Sequence, residues 1–586
     1  QQFIDRARNH LLDLQAKLQH KPNQPSTVPA GSAAEGLADD PSMIGDRFAF
    51  RKLVVIMTSP GKMFGVLSEN GHIVWRKFMY TSSPPPVLRS LFVTRTSMHY
   101  QLECVVLGHT SKAANAPSFF SWLNPLTGSE TGRQSLPYRV IQALLLPLVD
   151  PEHRQLLMAV DSSFKVHIFP DTDAAHRLFS AHADNFYFFI ADAKAGAVNG
   201  YSISSSSIAE GPETRFEYEA NVIWTMAFAP NETLSTVVPR SPETVKSPAR
   251  ILGDRGVLYK YLNPNLVVIA TESQEMTPNI DVRMSPSIRL DATAVRIYLV
   301  DIVTGRIVHS AEHLGARGPV RAVQSENTVV YTMWNATKQR NEMVAMELYE
   351  DTMEDMGVLE LMGLAFSNAT SEFSSRLAPP PRVETQAYIM PAPVRTMTTT
   401  VTSLGITSKQ FLLGLESDQL FALDKRFTDP RRPVGVLSND DREEMLVAYA
   451  PTLPLQPTSV LSYNRTLHNI RGIRSAATRL ESTCLVLSWG TDLFFTRVTP
   501  AKTFDTLQDD FAYATLVLAT LGLCFATTLT WWLVRETRCY RAGVIVSVSV
   551  WRSHSSRSGV ARNSRPLGGE MVAPPYLQYI SCSIKK

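Results

Sequence analysis

Cysteine is scarce: five occur in 586 residues, and only Cys104 and Cys484 precede residue 511. No CxxC pair exists, so neither a structural zinc site nor thioredoxin-type chemistry is signalled. Both early cysteines sit in strand-like text, LECVVL and STCLVL. We read them as buried free thiols rather than as a bridge. Catalytic signatures are missing as well. There is no GxSxG elbow, no phosphate-binding GxxxxGK loop, no HExxH pair and no DxDxDG calcium loop. The thirteen histidines are dispersed, and His309 falls in a strand-like run as a packed residue. SNDDREE (438–444) brings Asp440, Asp441, Glu443 and Glu444 together, a pattern read as a solvated loop or helix start rather than an acid pair. No catalytic residue, metal ligand or cofactor is therefore expected.

Charge of one sign is also lacking through most of the chain. Residues 535–586 carry nine Lys/Arg against two Asp/Glu, a net of +7, which leaves 48 basic and 52 acidic residues elsewhere, a net of −4. A near-neutral surface of scattered charge gives no case for nucleic-acid binding. The chain opens QQFIDRARNHLL, without a starting Met or the charged and apolar regions of a signal peptide. The expectation is that the N-terminus of the parent protein is missing.

Long apolar runs are absent with one exception. Phe511 to Val534 reads FAYATLVLATLGLCFATTLTWWLV, 24 residues without a charge. That exceeds the ~20 needed to cross a bilayer core. Asp505, Asp509 and Asp510 precede it, and Arg535, Arg538 and Arg541 follow. Lys and Arg favour the cytoplasmic side, so the long N-terminal part is expected outside the cytosol. Four N-x-S/T sequons, at Asn231, Asn335, Asn368 and Asn464, all lie before the run and agree with that topology. On a helix, Thr515, Ala519, Gly522 and Ala526 share one stripe of small residues that permits close approach of a second membrane helix. Trp531 and Trp532 fall at the cytosolic interface and Tyr513 near the opposite one. Asp509 and Asp510 mark the luminal boundary.

Elsewhere the texture is short β segments with turn signals. Residues 1–19 form an amphipathic helix by spacing, with Phe3, Ile4, Ala7, Leu11, Leu14 and Leu18 on one face. Residues 20–47 are Pro-, Ser-, Ala- and Gly-rich and read as a flexible linker. From Phe48 onward, strand, polar turn and strand recur at 52–78, 163–179, 188–203, 295–310 and 411–425, with Asn70-Gly71 the strongest hairpin signal. In several units the turn is an Asp-x-x-x-Gly reversal. Irregularly spaced repeats of this kind predict a mainly β protein built as a β-propeller. Pro/Ser-rich stretches at 81–87, 202–214, 228–250 and 378–394 read as surface loops, and 347–366 as a short acidic helix. GVIVSVSVW (543–551) alternates like a strand. Gly71-His-Ile-Val-Trp75 is similar to strand ends in quinone-dependent dehydrogenase propellers, though fold alone does not carry activity.

Several longer segments resemble one family. They are GDRGVLYKYLNPNLVVIATES (253–273), VTGRIVHS (303–310), GPVRAVQSENTVVYTMWN (318–335), ITSKQFLLGL (406–415), DPRRP (429–433) and the text from Ile470 to Phe511. Together they resemble subunit 1 of the endoplasmic reticulum membrane protein complex, from about Phe48 to Val534. The resemblance implies a signal peptide and quinoprotein-like β-propellers in the lumen. It also implies one C-terminal transmembrane α-helix and a scaffold role in a multi-subunit insertase. Its implied partners are the other subunits, client transmembrane proteins and the lipid bilayer. Localisation would be the endoplasmic reticulum membrane, single-pass type I, with the bulk of the chain luminal. A helix near the membrane braces the complex in this family, a role that would fall to residues 1–19.

The expected organisation is an amphipathic helix (1–19), a linker (20–47) and propeller blades with loop inserts (48–250). A β-rich C-terminal luminal domain completing the propeller follows (251–510), then the transmembrane helix (511–534) and a disordered cytosolic tail (535–586). The luminal region is incomplete at its N-terminal end, and residues from Cys539 match nothing in the family. Two other function classes are carried forward. One is a membrane-anchored quinoprotein-like dehydrogenase. The other is a glycosylated cell-surface receptor.

Overall fold

The computed structural model describes residues 48–501, apart from 59, 80–85, 97–101, 114, 211–212, 274–292 and 351–372, together with the helix 513–554. The expectations for residues 1–47, Asn368, Asp509, Asp510, the acidic stretch from 351 and the chain beyond His554 lie outside the described residues.

Short strands joined by turns pair mostly with their sequence neighbours in successive antiparallel sheets, the exceptions being Lys165–Phe169 with Glu213–Ala227 and Glu232–Pro239 with Leu266–Ser273. Seven such sheets form a seven-bladed β-propeller. Blade 1 comprises Leu53–Met57, Lys62–Leu67 and Ile73–Phe78. Blade 2 comprises Val87–Arg95, Glu103–His109, Ser118–Leu123 and Glu130–Ser135. Blade 3 starts with Val140–Val149, Gln155–Asp161 and Lys165–Phe169. It then gains the long hairpin Ala197–Glu210 and Glu213–Ala227, with Tyr187–Asp192 at its edge. Blade 4 comprises Glu232–Pro239, Leu266–Ser273, Ala294–Asp301 and Ile307–Leu314. Blade 5 comprises Ala316–Ser325, Thr328–Asn335, Arg340–Tyr349 and Arg382–Met390. Blade 6 comprises Val394–Thr399, Gln410–Leu415 and Leu420–Asp424. Blade 7 comprises Gly472–Ala477, Cys484–Trp489 and Leu493–Val498.

The Asp-x-x-x-Gly reversal has a clear physical basis. Asp301 Oδ1 accepts from the amides of Val303 and Thr304, and Asp192 Oδ1 from those of Lys194 and Ala195. Asn124 does the same for Leu126. Each turn closes on a glycine at positive φ: Gly128, Gly196 and Gly305. Two of these turns also join blades. The Trp75 indole N–H of blade 1 donates to the Pro125 carbonyl in blade 2 at 2.8 Å. Trp224 of blade 3 donates to Ile302 in blade 4 at 2.7 Å. Each indole lies against glycines, Gly65 and Gly128 for Trp75 and Gly200 and Gly305 for Trp224, where a Cβ would collide with the ring. The Gly-x-x-x-Trp likeness noted in the sequence is thus a blade-to-blade joint.

The core sits between blades rather than at one centre. Leu266, Val268 and Ile297 of blade 4 pack on Tyr331, Val344 and Met346 of blade 5. Val330, Met343 and Tyr388 of blade 5 meet Phe411, Leu413 and Phe421 of blade 6. Leu412 and Leu420 meet Ile473 and Val486 of blade 7. Blade 7 meets the segment just before blade 1 through the Arg479 amide, which donates to Phe48 O at 3.0 Å, and through Arg497 over the Phe50 ring.

Several expectations need correction. The strand–turn–strand reading of 163–179 holds only for Lys165–Phe169, because Asp173–Ser180 is a helix capped by Thr172 Oγ1 on the Ala175 amide. The stretch 202–214 falls mostly in the long hairpin, whose full-length pairing supplies partners to a serine run that favours turns in isolation. Arg382–Met390 in 378–394 and Glu232–Pro239 in 228–250 are strands too. That last strand pairs with Leu266–Ser273, so the division drawn at 250/251 falls inside blade 4. Val87, assigned to a loop, begins a strand.

The second unit contains the helix Tyr513–His554, 42 residues long. The tail expected to be disordered from 535 is helical as far as His554, and 543–551 lies within that helix. A lone alternating segment has no sheet to join, whereas a helix satisfies its own backbone groups. Ala514–Val534 is long and apolar enough to cross a membrane, and it is wholly exposed.

Candidate functional site: a strap across three blades

Between the first two strands of blade 4, residues 240–265 leave the sheet and cross to blades 5 and 6. Glu243 begins this strap. Its carboxylate accepts from Ser325 Oγ and the Glu326 amide of blade 5 and from Lys409 Nζ of blade 6 at 3.1 Å. Both ionic side chains are almost fully buried, 3% and 4% exposed. The Thr244 carbonyl then touches the backbone at Gly405, a left-handed position. A two-stranded hairpin follows, Ala249–Ile251 with Val257–Tyr259. The return pairs with the end of a blade-5 strand: Tyr261 N donates to Leu348 O, and Glu350 N to Tyr259 O. Lys260 Nζ closes the crossing on Glu326 at 2.7 Å.

The far side of the strap rests on the segment after blade 6. Arg250 binds Asp429 at 2.6 Å and approaches Glu444. Arg431 binds Glu444 at 2.6 Å, and the Gly253 amide donates to the same carboxylate at 3.1 Å. Arg432 is buried and donates to the carbonyls of Phe427, Val447 and Ala448. The DPRRP text is therefore a hub: Asp429 and Arg431 hold the strap, and Arg432 holds the loop's own backbone. The four acids of 438–444 divide. Ser438 and Asp441 form a capping box on the helix Asn439–Glu443, as a helix start requires, while Glu444 belongs to the ion-pair hub.

Burial alone would raise these carboxylates and lower these amines. For Glu347, burial pushes upward but Lys425, a hydrogen bond from Tyr349 and Arg250 outweigh it, so its pKa is held well below the usual range. Glu326 behaves alike, with Lys425 and Lys260 opposing its burial. Lys260 goes down because burial outweighs Glu326. Lys425 goes up despite burial because Glu347 and Glu326 face it. Glu481 is a separate anchor. Its carboxylate accepts from Thr402 Oγ1 and the amides of Leu404, Ile406 and Thr407, tying blade 7 to a blade-6 loop.

This arrangement binds blades to one another. Among the described residues, no group of three or more His, Cys, Asp or Glu side chains is placed to hold a metal ion. The Trp75 ring, at the end of the segment likened to quinone-dependent dehydrogenases, packs on Gly65 and Gly128 and donates to the Pro125 carbonyl, and Trp224 is held in the same way by Gly200, Gly305 and the Ile302 carbonyl. His309 is half-buried and burial lowers its pKa. Cys104 and Cys484 are both buried and free, in blades 2 and 7, and burial pushes the Cys104 thiol up to about 12. In sequence, 240–250 reads as a surface loop, and 253–265, Lys409 and Glu481 fall in family-like text that assigns them no role. Their spacing of up to 166 positions carries no local signal.

The proposed modification sites fare differently. Asn464 is exposed in a turn and Asn231 is half-buried in one. Asn335 is only 7% exposed. Its amide nitrogen donates to Glu342 and its oxygen accepts from the Lys338 amide. In the fold, the nitrogen that would carry a glycan is thus engaged. Thr515, Ala519, Gly522 and Ala526 lie on one face of the exposed apolar helix, and a Cβ at Gly522 would meet open space.

Residues 49–501 match the family model described as ER membrane protein complex subunit 1, second beta-propeller. The chain is 36% identical to ER membrane protein complex subunit 1 of Gallus gallus over 538 residues, covering 90% of this chain and 50% of that protein. The same subunit of Xenopus laevis is 36% identical, covering 83% of this chain and 46% of that protein. For Schizosaccharomyces pombe the identity is 27%, with 91% and 54% covered. The chain spans about half the length of these curated relatives. The match runs through all seven blades, and the chain belongs to the family of ER membrane protein complex subunit 1.

Proposed function

We propose that this protein is a non-catalytic luminal scaffold of the endoplasmic reticulum membrane protein complex. It is held by one type I membrane helix and supports insertion of tail-anchored and multipass proteins. The observation that carries the reading is the family match over the whole propeller, together with an apolar 21-residue segment that follows it. The interior supports it: buried polar side chains are spent on joining blades. Asymmetry of Lys and Arg across the apolar segment supports luminal placement.

Affinity isolation of the full chain from endoplasmic reticulum membranes in mild detergent tests the scaffold role. Other subunits of the complex should co-isolate, and a clean monomer would refute it. Orientation is tested at Asn464. A luminal propeller gives a high-mannose glycan that is lost in Asn464→Gln, whereas a cytosolic one gives none, and a mature glycan would favour the cell-surface receptor reading.

A further inference from the structure

Seven blades in a ring meet at seven junctions, and six of these are filled by buried apolar side chains. Met63 of blade 1 packs with Phe119 of blade 2, and Phe120 of blade 2 with Leu157 of blade 3. Val198 of blade 3 packs with Ile269 of blade 4. The next three junctions, from blade 4 round to blade 7, hold the clusters already described. Among the described residues, no buried apolar cluster spans the seventh junction, between blades 7 and 1.

The side chains turned toward that seam are correspondingly less buried. In blade 1, Val55 and Met57 pack on the blade-2 cluster, so Ile56 and its cross-strand partner Phe64 face the other way, and both are only half-buried. In blade 7, Cys484 and Val486 pack toward blade 6, so Leu485 faces the seam. Its cross-strand partner Arg497 lies over the Phe50 ring, 4.6 Å from the centroid. The Arg479 amide on the Phe48 carbonyl adds a second link. Both flanking blades have three strands, where blades 2, 4 and 5 have four. Buried apolar area supplies most of the free energy that holds packed layers together. This junction rests instead on a short clasp at 48–50.

We propose that the ring is gated at this seam: release of the clasp at 48–50 parts blades 7 and 1 while the six apolar junctions stay shut. Such an opening exposes little buried apolar surface, so it lies well below global unfolding in free energy. Residues 1–47 join the ring at the clasp, so a load on them reaches this gate before any other junction.

The test labels thiols on the folded full chain in mild detergent and reads each site by peptide mass spectrometry. Leu485→Cys reports the seam. The native Cys104 and Cys484 report the junctions of blades 1 with 2 and 6 with 7. Leu485→Cys should label about tenfold or more faster than either native thiol. Adding Phe50→Ala should speed it about tenfold further and leave Cys104 and Cys484 unchanged. Equal rates at all these sites, or a common rise in Phe50→Ala, overturns the gate. Hydrogen exchange on the unaltered chain gives a second reading that needs no substitution. Leu53–Met57, the first strand of blade 1, should exchange about tenfold faster than Ala316–Ser325 and Val394–Thr399, the first strands of blades 5 and 6. Equal protection of these strands refutes the proposal.

Discussion

Two parts of the ring are joined by different chemistry. Blades 1 to 2 and 3 to 4 meet through neutral indoles, Trp75 and Trp224, each donating into a turn of the next blade. Blades 4 to 6 are crossed by a strap whose grip is ionic, and blade 7 is anchored on the blade-6 loop through Glu481. An indole joint is indifferent to pH and nearly so to salt. A buried carboxylate joint holds only while its partners are present and charged. One ring therefore contains both insensitive indole joints and titratable carboxylate joints, the latter also pairing Lys77 with Glu130 and Arg154 with Glu103 among blades 1 to 3.

The largest expected effects remove one joint of each kind. Trp75→Ala should cost about 3–5 kcal/mol, the scale of a buried tryptophan truncation, read as a lowered unfolding midpoint in denaturant. Lys409→Met leaves Glu243 buried without its cation and should cost about the same, about 3–5 kcal/mol. The pair is separated by rescue. Adding Glu243→Met to Lys409→Met should recover most of the loss, whereas no second change at Gly128 should restore the Trp75 joint. Lack of rescue in the melting curve would show that the strap is not held by that pair.

Acid offers the next contrast. Burial pushes Glu481 upward, but the hydrogen bonds from Thr402, Leu404, Ile406 and Thr407 prevail and its folded pKa lies below its ordinary value. Stability from such a group is whole above its unfolded pKa and is lost as pH falls through the folded one. Below about pH 4.3, amides of 402–407 should gain hydrogen exchange while those of the Trp75 turn at 124–128 stay protected. Glu481→Gln should cost about 1–3 kcal/mol near neutral pH and flatten that acid response.

The smallest contrast compares two left-handed glycines. Gly71, in the blade-1 hairpin, has open space around it, so Gly71→Ala should cost about 1 kcal/mol from backbone strain alone. Gly405 adds the Thr244 carbonyl at the position of a Cβ. Gly405→Ala should cost measurably more by thermal melting, the excess reporting the strap contact. Equal costs would mean that the strap yields at that point.

The repeating units were legible because their signals are local. The Asn70-Gly71 turn, the Asp301-to-Gly305 reversal and the alternation in 295–310 each act within a dozen residues. The apolar segment was legible for the same reason. The strap was not, since 240–250 reads as a surface loop and 253–265 only as a family likeness until Glu243 meets Lys409 far along the chain. The long hairpin of blade 3 was obscured by serines, which favour turns unless a partner strand is present. Asn335 matched a sequon, yet only the fold turns its amide toward Glu342. The DPRRP text was noticed as a family likeness, with its part in holding the strap visible only once Arg250 and Glu444 are beside it.

The helix that follows the propeller has a mechanical consequence. At 1.5 Å per residue its 42 residues measure about 63 Å, roughly twice a ~30 Å hydrocarbon core. Some 20 residues, about 30 Å, therefore continue as one rod past Val534. Without a break in that rod, any rotation or tilt of the apolar segment is carried undamped to His554. A change of 10° displaces the far end sideways by about 5 Å. A straight helix of this length, set in a bilayer by its apolar segment, would convert small reorientations there into larger displacements at its far end.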